Sequence, residues 1–312
     1  MNTAQLLQAV SPSASELEMA LQLAFRHLPP EESQARVGTL LKQYDAGQLD
    51  LNGVFLLKNG NTFVAAMYAH HRNDGSVFLW VPSTPAGYSP ELLYDALDNY
   101  CRKKKTFAAV ALADKNQPFD EKMLLEYGHF EFLSDLVYMA VELPPQNTAF
   151  EPQQLRFAPI TENGNTESEH LQTLVKATYN DSLDFPRLMS ITPVEKVLLG
   201  YKTGALFIPE LWFFVQYQGQ DIGVLLLTDA SPQQCELTYT GLLTEYRGRG
   251  FSNEIVRFAK SVAAERGKIL LLTSVDEKNI PACQSYLKNG FRAWDRKKVF
   301  ARFYDEAIHH RR

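Results

Sequence analysis

The sequence predicts an α/β protein of two tandem domains, on three observations. One order of elements (helices, hairpin, strand, loop, helix, strand, helix, closing hairpin) is met twice, at a spacing of 162 residues. Each copy contains apolar strand runs broken by Asn-Gly or Gly-Gln turn signals. Between the copies lies a Pro-rich polar stretch, Leu143 to Pro152, that can continue neither helix nor strand. The expected domains are 1–148 and 149–312, in line with about two domains for 312 residues.

In the first half an amphipathic stretch over Met1 to Pro30 carries Glu16 and Glu18 inside its pattern, which argues against a secretory signal. The hairpin follows at Val54 to Val64, then a strand from Val77, and a helix that starts at Ser89-Pro90-Glu91. Its end is marked by Arg102 to Lys105, a cluster that complements the helix dipole rather than a nucleic-acid patch. A strand at Phe107 to Ala113 and a helix around Leu124 to Gly128 complete the half. The second half repeats this with a hairpin at Leu211 to Val224, a strand at Glu236 to Leu243, a loop at Thr244 to Asn253 and a helix to about Arg266. A strand at Lys268 to Val275 and a helix capped by Asn279 and ended by Gly290 follow. At the 162-residue spacing, Val77 to Trp80 fall on Tyr239 to Leu242, Phe107 to Ala113 on Ile269 to Val275, and Leu124 to Gly128 on Tyr286 to Gly290.

Composition narrows the function classes. Hydrophobic residues make up 45% of the chain, but no segment approaches the roughly 18 to 20 apolar residues of a membrane helix. Cys101, Cys235 and Cys283 are far apart, which excludes a disulfide scaffold or zinc cluster and favours a reducing cytoplasm. Cys283 reads as a small half-buried residue, since no histidine is placed beside it by sequence. Up to residue 150 there are 11 Lys/Arg against 17 Asp/Glu, and after it 20 against 19. No extended basic face points to nucleic acid, and an acidic first half suits a cationic small molecule in steering alone.

The loop carries the chemistry. Gly248 and Gly250 let the backbone turn its N–H groups into one concavity, Arg247 and Arg249 add positive charge, and the following helix adds its dipole. Such a loop suits a pyrophosphate. A P-loop needs Lys-Ser/Thr after its last glycine, where this chain has Phe251-Ser252. A dinucleotide loop needs a third glycine, where it has Asn253. What remains is R-x-x-G-x-G/A, filled by Arg247, Gly250 and Ser252. It resembles the acetyl-CoA loop of the GNAT superfamily of N-acetyltransferases. Downstream, Asn279, Ala282, Tyr286, Gly290 and Phe291 fill every fixed place of that family's N-x-x-A-x-x-x-Y-x-x-x-G-F. The resemblance covers Leu211 to Tyr304 closely and extends loosely from about Gln154.

The resemblance implies two tandem GNAT-like (acyl-CoA N-acyltransferase) domains, each a mixed, mostly antiparallel sheet flanked by helices. Mycothiol synthases are similar in architecture. It implies acetyl-CoA as co-substrate, no metal, and a primary amine as acceptor, a small molecule rather than a protein. Thr240, Gly241 and Leu242 would pair with the pantetheine arm, with Gly241 as a bulge opening the sheet. Arg247, Gly248, Arg249, Gly250, Phe251, Ser252 and Asn253 would hold the pyrophosphate, and Asn279 would cap its helix or bond the ligand. Tyr286 would protonate the leaving thiolate. Glu236 occupies the place of the general base in the histone-acetyltransferase branch, but reads equally as a solvated carboxylate; Asp276, Ser274 or a water chain are alternatives. Tyr179 to Ser190 is the segment expected to line the acceptor site; its acids Asp181 and Asp184, its aromatics and Arg187 suit a small amine and equally a mobile surface loop. In the first half Pro85, Tyr88, Pro90 and Leu124 replace Arg247, Gly250, Ser252 and Tyr286, with Asn116 a remnant of Asn279, so that half is expected to hold no cofactor. The rival from another class is a non-catalytic CoA-binding or sensing module.

Overall fold

The computed structural model describes residues 7–114, 121–144, 150–160, 168–203 and 207–304. Asn116, the first six residues and the 145–149 part of the Pro-rich stretch lie outside them. The chain forms two compact units, Met1–Leu133 with Lys298–Arg312, and Ser134–Lys297.

In the first unit, β1 (Leu7–Val10) precedes helices α1 (Leu17–Ala24) and α2 (Pro30–Asp45). Strands β2 (Val54–Asn59), β3 (Thr62–His71) and β4 (Val77–Trp80) follow, then α3 (Glu91–Lys103) and β5 (Ala108–Asp114). β1, β2, β3 and β4 pair antiparallel in that order, and β4 pairs parallel with β5 across α3. Side chains alternate faces along a strand. Val54, Leu56, Ala66 and Tyr68 therefore pack on Leu17, Leu21 and Phe25 of the α1–α2 side, while Phe55, Leu57 and Met67 pack on Leu93, Tyr94 and Leu97 of α3.

The second unit repeats the plan. It takes Ser134 onward of β6 (Glu131–Glu142), then β7 (Leu155–Pro159) and helices α4 (Glu169–Ala177), α5 (Pro186–Ile191) and α6 (Val194–Thr203). Next come β8 (Trp212–Tyr217), β9 (Gln220–Ser231), β10 (Gln234–Leu242), α7 (Phe251–Glu265), β11 (Leu270–Asp276), α8 (Ile280–Lys288) and β12 (Arg292–Phe303). The order β6-β11-β10-β9-β8-β7 is antiparallel except for the β10–β11 pair. Gln218 and Gly219, both at positive φ, make the two-residue β8–β9 turn of the type that suits strand twist. Trp212 and Phe214 face α4 and α6, whereas Phe213 and Val215 face α7.

The closing strand of each half is not counted with that half. Leu136 to Glu142, which precede the Pro-rich stretch, pair with Asp276 to Leu270 of the second unit, and the chain from Lys298 belongs to the first. The uniform 162-residue overlay also needs correction. Val77 stands opposite Ala109 as Cys235 stands opposite Leu271, so Trp80 corresponds to Thr238 and not to Leu242. The buried faces of α3 (Leu93, Tyr94, Leu97, Cys101) and α7 (Ile255, Val256, Ala259, Ala263) do match at 162. The first half therefore has four fewer residues between strand and helix, those that extend β10 and build the glycine loop. Leu124, on a π-helical turn Met123–Tyr127, is fully buried.

Gly223 is needed for a close approach: a Cβ there would lie 2.2 Å from the Gly241 carbonyl oxygen. Gly223→Ala is expected to lower stability by about 1 to 3 kcal/mol. Thermal melting checks this, and an unchanged melting temperature would contradict so close a β9–β10 contact.

Candidate functional site

Hydrogen bonding between the parallel strands β10 and β11 runs only from Gln234 opposite Leu270 to Leu237 opposite Thr273. Beyond that point β10 stays with β9 and β11 with β6. A cavity of about 600 Å³ occupies the opening, lined by Leu237 to Leu242 on one side and Thr273 to Val275 on the other. Ile255 and Val256 of α7, Asn279 and Tyr286 around α8, and Thr178 and Asp181 to Asp184 complete its wall.

The bulge that starts the opening is at Thr238, where the β9–β10 register shifts between Leu237 and Tyr239, and not at Gly241 as expected from sequence. Gly241 is in register with Val224; its missing Cβ makes room for the Tyr239 hydroxyl and Thr178, which would lie 2.6 and 2.7 Å from one. The Leu243 amide donates to the Ile222 carbonyl at 2.9 Å, so alternation along the antiparallel ladder turns the amides of Thr240 and Leu242 toward the opening. Those are unpaired strand-edge groups that require a partner.

Gly248 and Gly250 adopt φ values of 74° and 85°, the left-handed region that glycine favours, and Gly250 is the residue before α7. The amides of Gly248, Arg249, Gly250, Phe251 and Ser252 have no acceptor among the described residues, and they open at the positive end of the helix dipole. Two expected contributors are used differently. The Arg247 guanidinium donates to the carbonyls of Leu242 (2.9 Å), Asp181 (3.0 Å) and Thr178 (2.8 Å), which ties the loop to the segment after α4. Phe251 puts its ring in the core, 5.0 Å from Tyr217, leaving only its backbone to the loop. Arg249 lies over the Tyr246 ring at 5.1 Å, and Ser252 is exposed. The Asn253 carboxamide accepts from Asn289 at 3.1 Å.

At the other end of the cavity Asn279 caps α8, accepting from the Ala282 amide at 3.3 Å, with Pro281 in the first turn as expected. Two turns on, Tyr286 is 6% exposed, against Phe291 at 5.3 Å. Burial pushes its phenol up to about 12, against the pull of the Thr273 hydroxyl, and Asp184 raises it further. The neighbouring Ser285 hydroxyl lines the cavity and is buried without a partner among the described residues. Glu236 is not brought to the cavity. It sits half-buried between Thr228 and Leu272, where burial raises its carboxyl above the usual value.

Of the alternative bases, Ser274 lines the cavity but Asp276 is committed to the framework. One oxygen of its buried carboxylate accepts from the Ser134 hydroxyl and the Lys278 amide, and the other accepts from the Phe185 amide at 3.1 Å. In return the Asp276 amide donates to Asp184 at 2.9 Å. Of the two acids that the sequence offered in this segment, Asp181 is exposed and Asp184 is the more enclosed. The left-handed φ of 42° at Phe185, which sets this clasp, has no signature in a phenylalanine. Cys283, half-buried, approaches the Asp276 carbonyl at 3.7 Å and has its thiol pushed up by burial.

A parallel strand pair parting around a cavity, with a glycine loop at one end and a buried phenol at the other, is the arrangement of an acyltransferase. Residues 180–291 match the model of the Acetyltransferase (GNAT) family. The crystal structure of a GCN5-related N-acetyltransferase from Sphaerobacter thermophilus is similar over 95% of this chain and 95% of its own, at 16% identity and a TM-score of 0.55. A GCN5-related glucosamine N-acetyltransferase region of a fungal multi-domain β-N-acetylglucosaminidase is similar over 96% of this chain but only 38% of that one, at 12% identity and a TM-score of 0.55. A functionally unknown conserved protein from Staphylococcus epidermidis is similar over 77% of this chain and 91% of that one, at 12% identity and 0.51. At such identities the likeness concerns the fold. No match was found among curated proteins.

Because Arg247 braces three carbonyls, Arg247→Ala is expected to cost about 2 kcal/mol or more. It should also speed amide exchange at 178–184 with little change in β8 and β9. Exchange rates unchanged at 178–184 would contradict the bracing role.

Proposed function

We propose that the second half transfers an acetyl group from acetyl-CoA directly to a primary amine, of a small molecule in preference to a protein, in the cytoplasm. The observation that carries this reading is Tyr286, a buried phenol on one wall of a cavity that ends in unpartnered loop amides. The residues fit the donor. The amides from Gly248 to Ser252 and the α7 N-terminus offer donors to a pyrophosphate without needing Arg247. The free edge at Thr240 and Leu242 can pair with the amides of a pantetheine arm as one strand pairs with another. Acetyl-CoA supplies the acetyl group as a thioester. A phenol raised to about 12 stays protonated at neutral pH, so Tyr286 holds the proton that a departing thiolate takes up.

The first half is proposed to hold no cofactor, on three features of its described residues. Its strand stops at Trp80, which stacks on Tyr68 at 5.0 Å; its loop is four residues shorter; and Leu124 has no proton to give. One acetyl-CoA per chain is the expected stoichiometry.

Two variants test this. Gly250→Asp forces a side chain into a left-handed position and sets a carboxylate at the anion site, so calorimetry should show loss of CoA binding. Wild-type titration should give one site, and two equivalent sites would contradict the reading of the first half. Tyr286→Phe keeps the packing volume, and should keep stability and CoA affinity while kcat falls by about 10² to 10⁴. Normal turnover by this variant would return Tyr286 to a packing role.

A further inference from the structure

We propose that Asp184 receives the acceptor: its carboxylate binds a cationic primary amine in the cavity and takes the proton that frees the nitrogen for attack. This rests on the acetyl-transfer reading above. Asp184 shares the cavity with Tyr286 and is held there by the exchanged amide–carboxylate bonds with Asp276, while its own amide donates to Ser182 at 3.2 Å. One oxygen is thereby fixed; the other makes no hydrogen bond, and no Lys, Arg or His pairs with Asp184 among the described residues. The side chain is only partly exposed, and a ligand's ammonium at the open oxygen would give this carboxylate the cation it lacks.

The other acidic groups do not compete. Asp276 is saturated by three donors, the Asp181 side chain is exposed, and Glu236 lies off the cavity. The titratable groups facing Asp184 are Asp276 at the end of β11, Tyr239 on β10, and Cys283 and Tyr286 on α8. None is a cation. The nearby Arg247 is turned onto carbonyls. Burial, and then the Asp276 charge, push the Asp184 carboxyl up to about 6, against the pull of the Asp276 amide.

The step balances as follows. Asp184 removes one proton from the bound ammonium, and the freed nitrogen forms the C–N bond as the C–S bond of the thioester breaks. The thiolate leaves with the Tyr286 proton. A second nitrogen proton, shed as the amide forms, returns to the Tyr286 oxygen, and the proton on Asp184 passes to solvent as the net proton released.

The test compares wild type with Asp184→Asn, which keeps the oxygen that accepts from Asp276 but removes the charge. Putrescine, tyramine and glucosamine serve as probe amines, with acetyl-CoA as donor, between about pH 5 and 9. CoA affinity by calorimetry is expected within about twofold of wild type, while kcat/KM on the amines used falls by about 10² to 10⁴. Wild-type kcat/KM should drop as pH falls through about 6, and Asp184→Asn should lack that limb. Stability gives a readout without turnover. A carboxyl raised on folding contributes stability present at acid pH and lost as pH rises through about 6, so the always-neutral Asp184→Asn should melt above wild type at pH 8, the gap closing toward about pH 4. Wild-type turnover matched by Asp184→Asn overturns the proposal alone. So does a flat wild-type profile, a measurement that needs no variant to fold, or a limb that survives in Asp184→Asn and vanishes in Glu236→Gln. Wild-type protein that binds CoA but acetylates none of the three amines overturns the acetyl-transfer reading and this proposal together.

Discussion

Parallel strands β10 and β11 stop sharing hydrogen bonds after Leu237 and Thr273, and the remaining features of the site follow from how each strand satisfies its freed edge. Backbone amides and carbonyls tolerate burial only with partners. β11 finds them in β6, which runs beside it as far as Asp276 opposite Leu136. β10 keeps β9 on one side only, so its other edge at Thr240 and Leu242 is open along the cavity wall. The bulge at Thr238 sets where the strands diverge, and the hairpin β8–β9 fixes the direction β10 takes afterward.

The segment between α4 and α5 would be an ordinary surface connection if nothing held it. It is held twice. Arg247 grips the carbonyls of Thr178 and Asp181 from the glycine loop, and Asp276 grips the Phe185 amide from the end of β11. The wall is thus anchored at one end from the loop that follows β10 and at the other from the end of β11. The glycine loop and this wall are joined through one side chain, Arg247. A planar guanidinium with several fixed donors suits that task in a way that a lysine does not.

Most of this was legible where local chemistry and spacing agree. The glycine loop, the Asn279 cap and the Tyr286 helix occupy the places that their residue types require, because positive φ, helix capping and chain reversal are strong local constraints. Features that depend on register were not legible. A bulge falls where two strands need an extra residue, and Thr238 advertises nothing that Gly241 does not advertise better. The four-residue difference between the halves hides in a loop, where a uniform spacing can slide without breaking any apolar pattern. Arg247 was read as charge for a phosphate, whereas its geometry is that of a brace, since the carbonyls of Thr178 and Asp181, from a segment far away in sequence, meet it only after folding. Glu236 kept its strand position, but its place relative to the cavity depends on a parting of strands that begins two residues further along.

The early closing strand has a consequence for how the chain can be divided. Val137, Met139 and Val141 of β6 belong to the same apolar cluster as Leu271, Val275 and Tyr286, although they precede the Pro-rich stretch that looks like a natural cutting point. A fragment begun after that stretch would keep the glycine loop and the tyrosine yet leave the β6-facing side of β11 as a bare edge, with Leu271 and Val275 stripped of those neighbours. Such an edge is a template for pairing with another chain, so the severed half would trade a catalytic cleft for a route to aggregation.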